Sequence, residues 1–377
     1  MRRTSTFASS LTPQFKRYAL AFSYHGSFYN GFPKQREDGG GGHAYTTLHN
    51  RLSLALDAFV APKSSKLAEQ RRWDNLTVSS RTDAGVHALR NTCHVDLPEN
   101  INCPSTIVKG LNYHLPLTSP FLSNNNMGGR GLKSNPSLVD SMRILEAVEV
   151  PPDWSARFSA FQRTYVYKIV CPKLTSLYTT IEDPKNQYYN PHPSLPFDGS
   201  THYMSSTTLD VLKMNEAAQH LVGTHDFTSF RGKKCVQKSP IMTVFDIGIT
   251  SKNAEPFGPG FGVNSDFGFS TNPLKSEDES KRNRGFGLTI SDVEKVYIQI
   301  TAPAFLYNQC RNFIGVLLDV GKDNLAPERV KEILDAKDRS YVRYKKAPAH
   351  ALYLVDVKHY MDGNRDGRQL TYTPHSK

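Results

Sequence analysis

The stretch Tyr18–Tyr24 reads YALAFSY and sets Tyr18, Leu20, Phe22 and Tyr24 at every second position, with small residues between them. A period of two marks a half-buried β-strand. Outward from it, Leu48, Leu52, Leu56 and Phe59 share one face of a helix predicted over Thr47–Phe59. Strands are expected near Leu76–Ser80 and Thr92–Leu97, a short helix near Ser105–Tyr113, and a strand near Arg143–Val150. That order, β-α-β-β-α-β, is the ferredoxin-like unit.

The second half of the chain offers the same order again. Strand Arg163–Cys171 puts Tyr165, Tyr167, Ile169 and Cys171 on one face, and a helix is expected over Leu209–Val222. Strands near Met242–Thr250 and Glu294–Thr301 follow, then a helix over Leu306–Val320, an extra helix from Pro327, and a closing strand at Leu352–Lys358. No sequence repeat accompanies this duplication, so element order alone carries it. The fold class expected is α+β: two ferredoxin-like (RRM-like) halves sharing a mixed, mainly antiparallel sheet, with an active-site cleft between them.

The domain plan reads 1–16 as a leader, 17–155 as the first unit, 156–360 as the second, and 361–377 as a polar tail. Ser123–Ser137, Thr175–Thr208 and Ser251–Asp292 are rich in Asn, Ser, Gly, Pro or mixed charge, which is loop composition. The 175–208 and 251–292 stretches read as insertions in the second unit. Gly39–Gly42 lacks the preceding strand and the following Lys-Ser/Thr of a phosphate loop, so it reads as a flexible connection.

Over 377 residues, 46 Lys and Arg face 35 Asp and Glu, a formal net charge of +11. A surplus of that size suits a polyanionic partner, because cations that neutralise phosphates gain from counterion release. The five cysteines are scattered and never form C-x-x-C, which argues against a disulfide framework or a cysteine-rich zinc site. The thirteen histidines show no paired ligand spacing, so a metal is not expected. No apolar run approaches the ~20 residues of a membrane span. Met1–Arg36 holds no acidic residue and starts MRRTSTFASSLTPQFKRY, a composition that suits a mitochondrial transit segment. A basic tail touching RNA, with a cytoplasmic or nuclear protein behind it, is the alternative.

Between the second and third strands stands Arg81-Thr82-Asp83-Ala84-Gly85-Val86-His87-Ala88, a polar segment with a glycine that permits a sharp turn. Spacing alone allows Asp83 to be a turn cap and Arg81 to form a surface pair. The string Ser80–Ala88 (SRTDAGVHA) nevertheless resembles the catalytic loop of the TruA-type tRNA pseudouridine synthases, and five further blocks match in the same order. Tyr24–Gly31 (YHGSFYNG) resembles the family's opening strand and turn, and Ala156–Ile169 (ARFSAFQRTYVYKI) the segment with its active-site tyrosine. Gly223–Arg231 (GTHDFTSFR), Phe305–Gly321 (FLYNQCRNFIGVLLDVG) and Ala347–Val357 (APAHALYLVDV) are similar to its later blocks. The animal tRNA pseudouridine synthase-like branch is the nearest match within the family.

The resemblance implies that Asp83 is the catalytic aspartate, Tyr165 the tyrosine packed on the target base, Arg311 the arginine paired with the aspartate, and Arg81 the loop arginine that helps displace the base. It implies a homodimer acting without cofactor or metal on uridines of the tRNA anticodon stem-loop. The chemistry is consistent with this set. Breaking the N-glycosidic bond and rejoining uracil through C5 calls for a carboxylate that attacks C6 or C1′, or that removes a proton. A carboxylate in a dry pocket needs a cation, since burying it alone is costly. Arg311 shares a helical stripe with Ile314, Gly315 and Leu318, where a guanidinium is expensive unless paired.

The target base must also leave its stack, and Arg81 is placed either to fill the gap or to pair with Asp83. Arg17, Lys34, Arg36, Arg90, Lys109, Arg157, Arg163 and Lys168 lie in or beside the matched blocks as candidate phosphate contacts. His87 reads as structural support. Phe32-Pro33 departs from the tryptophan and glutamine common in the family, which bears on substrate choice rather than chemistry. Two rival functions stand beside the synthase. One is a non-catalytic RNA-binding protein or tRNA chaperone on the same scaffold; the other is a hydrolase using Asp83 as nucleophile on a small substrate.

Overall fold

A computed structural model describes residues 15–32, 47–61, 73–117, 141–173, 201–233, 235–253, 293–341 and 344–360. The strands are β1 (Phe15–Tyr24), β2 (Asp74–Val78), β3 (His87–Pro98), β4 (Met142–Val150), β5 (Ala160–Pro172), β6 (Tyr203–Met204), β7 (Gly223–Asp226), β8 (Ile241–Val244), β9 (Asp246–Asn253), β10 (Val293–Ala302) and β11 (Leu352–His359). The helices are α1 (Leu48–Phe59), α2 (Pro104–Leu117), α3 (Val211–Gln219), α4 (Gln309–Gly321) and α5 (Glu328–Ala336). The protein is α+β.

Nine strands form one mixed sheet in the order β4-β1-β3-β11-β5-β10-β9, with β2 on β3 and β6 on β5. Strands β4-β1-β3-β2 and β11-β5-β10-β9 each follow the ferredoxin-like order, and the two runs meet where β3 and β11 pair in parallel. Every other pairing among these eight strands is antiparallel. The parallel contact is short, Tyr353 on His87 and Leu354 on Ala88, and it lies at the end of the Arg81–Ala88 loop. Sheet assembly therefore brings the loop of the first half against the second half.

Local chemistry explains most element boundaries. Thr47 caps α1, its Oγ1 accepting from Asn50 N at 3.3 Å, and Leu48, Leu52, Ala55 and Leu56 turn inward. Helix α4 is buried on nearly every side, from Cys310 to Gly321, with Arg311 and Asp319 the half-buried exceptions. The stripe expected beneath Arg311 therefore belongs to a helix that is dry almost all round.

Differences from the sequence reading are concentrated at turns. Strand β3 begins at His87, five residues before the expected start, because Ala88 and Asn91 already pair with β1. The strand expected over Met242–Thr250 divides at Phe245: β8 pairs with β7 in a separate two-stranded sheet, while β9 joins the main sheet. Helix α3 stops at Gln219, ahead of Gly223 at φ 107°. Within the stretch read as loop over Thr175–Thr208, Tyr203 and Met204 pair with β5. Lys34, Arg36, Gly39–Gly42 and Ser123–Ser137 lie outside the described residues, as do the leader up to residue 14, most of the 251–292 insertion and the tail after 360.

Candidate active site

The loop carrying Asp83 is tied down at almost every residue. Val86 N donates to Asp83 O at 3.1 Å, closing a turn that needs Gly85 at φ 82°, a backbone region costly for any residue with a Cβ. Thr82 Oγ1 lies 2.7 Å from Tyr24 Oη, and Asn91 Nδ2 donates to Ser80 O at 2.9 Å. Below them, Arg163 Nη2 donates to Ser79 O at 2.8 Å, while its Nη1 donates to the Ala160 and Pro303 carbonyls. Arg163 is thus a buried clamp under the loop, built from carbonyls and not from an acid.

His87 closes the loop. Its Nδ1 accepts from Gly26 N at 3.2 Å, so Nε2, 2.8 Å from His350 O, must be the protonated nitrogen. Its ring stacks on Tyr353 at 4.5 Å. With both nitrogens committed in a neutral ring, His87 supports the loop, as the sequence suggested.

Asp83 itself is 22 % exposed, and burial raises its carboxyl above the ordinary value of 3.8, opposed by the charges of Arg311 and Lys346. Arg311 Nη1 stands 3.7 Å from Asp83 Oδ2, an ion pair longer than a hydrogen bond. The guanidinium is aimed from behind: Nε donates to Ala347 O at 2.7 Å, and Ala347 N donates back to Arg311 O at 3.0 Å. Tyr165 is buried, its Oη 2.8 Å from Ser80 Oγ and its ring edge-on to Phe305 at 5.4 Å. Burial pushes its phenol far up, so it remains protonated.

Asp83, Tyr165 and Arg311 therefore converge, brought from a loop, strand β5 and helix α4 that are far apart in the chain. Arg81 sits on the same loop, exposed and without a polar partner among the described residues, so the Asp83-pair alternative for it falls away. The other cations have different neighbours. Arg17 grips Asp96 through two hydrogen bonds of 2.7 and 2.9 Å and donates to Trp154 O. Arg90 pairs with Glu146 at 2.5 Å, and Lys168 Nζ lies 3.9 Å over the Tyr353 ring. Lys109 is exposed on α2, and Arg157 lies over Phe158.

Lys346 was not singled out from the sequence. It follows Lys345 in a stretch that reads as ordinary surface charge, and only the Ala347–Arg311 contacts place it at the site. All five cysteines are free. Among the described residues no group of three or more His, Cys, Asp or Glu is placed to hold a metal, and no helix is long and apolar enough to cross a membrane.

Residues 217–359 match the family described as tRNA pseudouridine synthase. The human protein tRNA pseudouridine synthase-like 1 is 30 % identical over 90 % of this chain and 89 % of its own length. The chain belongs to the tRNA pseudouridine synthase family. It is an isomerase of the TruA type by that membership. A further relative, tRNA pseudouridine synthase A of Ehrlichia chaffeensis, is 27 % identical over 90 % of this chain and 99 % of its own length. Five of the six blocks that resemble the tRNA pseudouridine synthase family meet at the Asp83 loop, namely the loop itself and those with Tyr24 and Gly26, Tyr165, Arg311, and the Ala347–His350 turn, whereas the start of the Gly223–Arg231 block pairs with β8.

Proposed function

We propose that the protein converts uridine to pseudouridine in the anticodon stem-loop of tRNA, mitochondrial tRNA among its substrates, with Asp83 as the catalytic carboxylate and no cofactor. One observation carries the reading. A half-buried carboxylate, held on a loop fixed at Ser79, Ser80, Thr82 and Val86, faces a guanidinium at 3.7 Å beside a buried tyrosine.

The reaction breaks N1–C1′, forms C5–C1′, removes the proton from C5 and returns one to N1. Asp83 serves either as nucleophile, at C6 or C1′, or as the base that takes a proton from ribose or base. Both routes use the anion. Arg311 favours it by charge, and at 3.7 Å it leaves the carboxylate oxygens open to substrate. Tyr165, neutral and buried, offers a ring face for uracil and a hydroxyl already engaged by Ser80. Arg81, exposed on the same loop, is placed to occupy the gap left by the flipped base.

Location of the product by carbodiimide-dependent primer-extension stops tests the substrate. Mitochondrial and cytosolic tRNA transcripts treated with the protein should give stops within the anticodon stem-loop. Stops confined to another arm overturn the site, and bound but unmodified tRNA gives the non-catalytic RNA-binding reading its place. The acid-free N-terminal segment supports mitochondrial import; a reporter fused to residues 1–17 that remains wholly cytosolic contradicts it. The family resemblance supports a homodimer, for which light scattering should return twice the chain mass and a monomer mass is the contrary result.

A further inference from the structure

Lys346 is the second cation of the site, and its placement is over-determined. Ala347, the next residue, exchanges two hydrogen bonds with Arg311, through Nε at 2.7 Å and the backbone carbonyl at 3.0 Å. On its other side, the Lys345 carbonyl packs so closely on α4 that a Cβ on Gly315 would lie 2.1 Å from it. The backbone around Lys346 is therefore pinned to the helix that carries Arg311.

The side chain is held as well. Lys346 Nζ donates to Asn308 Oδ1 at 3.3 Å. Asn308 is the residue before α4, a position where asparagine ordinarily caps the helix with its side chain. Here it makes no side-chain cap, and its backbone takes the left-handed conformation at φ 63°. Asparagine is one of the few residues other than glycine that tolerate this conformation, and it leaves the Asn308 side chain to meet Lys346.

Charge points the same way. One carboxylate faces two cations, and Arg311 is the one in ion-pair range of Asp83. Burial and the repulsion of Arg311 both lower the pKa of Lys346, a cost relieved when an anion enters. Lys346 is nevertheless exposed, so its amine faces the rim of the site and can meet a group arriving from outside.

Resting on the reading that Asp83 acts on a uridine, we propose that Lys346, steadied by Asn308, is a positioning residue that binds a backbone phosphate of the target nucleotide and so sets its ribose over Asp83. Phosphate contacts of this kind fix register and carry no base preference.

The test compares the native protein with Lys346→Met, Lys346→Arg and Asn308→Ala, measuring C5 tritium release from one tRNA transcript across a series of salt concentrations. Lys346 is exposed, so its replacement leaves the core intact. For Lys346→Met the loss should fall on KM, which rises about tenfold at low salt, more than on kcat. The slope of log KM against log salt should shrink by roughly 0.7–0.9, the share of one phosphate contact. Lys346→Arg should restore that slope, and Asn308→Ala should raise KM with the slope unchanged because the charge remains.

An unaltered KM and slope in Lys346→Met would overturn the proposal. So would a fall in kcat with a shifted acid limb and an unaltered slope, which would make Lys346 a modulator of Asp83 only. Should the native protein release no tritium, the isomerase reading fails separately. Filter retention of the same transcript across the salt series then still decides whether Lys346 contacts a phosphate.

Discussion

Arg311 Nη1 stands 3.7 Å from Asp83 Oδ2, while Nε of the same guanidinium donates to the Ala347 carbonyl at 2.7 Å. One side chain thus faces the carboxylate and anchors the turn that carries Lys346. Replacing Arg311 by methionine removes a charge and a strut together. Lysine keeps the charge but cannot make both contacts in a planar fork. We expect kcat/KM to fall about 10²–10³-fold in Arg311→Met, the scale seen when a pre-organised electrostatic partner is lost. Arg311→Lys should recover less than half of that loss on a logarithmic scale. Steady-state kinetics on a single transcript decide it, and a variant within threefold of native removes Arg311 from the mechanism.

The acid limb of the pH–rate profile should belong to Asp83. Burial raises its pKa above 3.8, and Arg311 and Lys346 oppose that rise. Activity is present when the carboxylate is ionised and is lost as the pH falls through its folded pKa. Taking away either cation should move the limb to higher pH. A limb that stays in place in both Arg311→Met and Lys346→Met would mean that another group titrates.

The same raised pKa makes a statement about stability. A carboxyl with a folded pKa above its unfolded value binds protons more tightly in the native state, so its ionised form costs stability at neutral pH. Asp83→Asn removes that cost and keeps the shape. Its melting temperature at pH 7 should equal or exceed the native one although activity is lost, which differential scanning fluorimetry can check. A melting temperature several degrees lower would show that Asp83 holds the loop instead of being held by it.

His94 and His359 should make the protein acid-sensitive for a reason separate from catalysis. His359 Nε2 lies 2.9 Å from Ser79 Oγ, and His94 Nδ1 accepts from Ala156 N at 2.9 Å. Burial lowers both imidazoles to about 4. A folded pKa below the unfolded 6.5 means that the unfolded chain takes up protons first, so stability declines from about pH 6.5 towards pH 4 and levels off below. The slope per histidine reaches about 1.4 kcal/mol per pH unit. Urea midpoints between pH 7.5 and 4.5 should fall in the native protein and fall less in His359→Gln; equal falls would assign the effect to other groups.

Much of the fold was legible because it rests on periodicity. Tyr18, Leu20, Phe22 and Tyr24 alternate and are buried, and the helix expected from Leu48, Leu52 and Leu56 is present with its Thr47 cap. What sequence could not supply was register. Whether β3 began at Thr92 or His87 depends on pairing with β1 and β11, which local propensity does not encode. The site divides in the same way. Asp83, Tyr165 and Arg311 lie in matched blocks, whereas Lys346 reads as one of a surface pair until Asn308 and Ala347 are seen to fix it. Arg17 shows the reverse. A basic residue near the start looks free for phosphate, yet Asp96 and Trp154 take its donors.

Release of tritium from C5-labelled uridine in tRNA tests most directly whether Asp83 moves the glycosidic bond from N1 to C5. The native protein should release label, and Asp83→Asn should release none while still retaining the transcript on a filter. Equal release by Asp83→Asn, or none by the native protein on mitochondrial and cytosolic tRNA alike, would contradict the account.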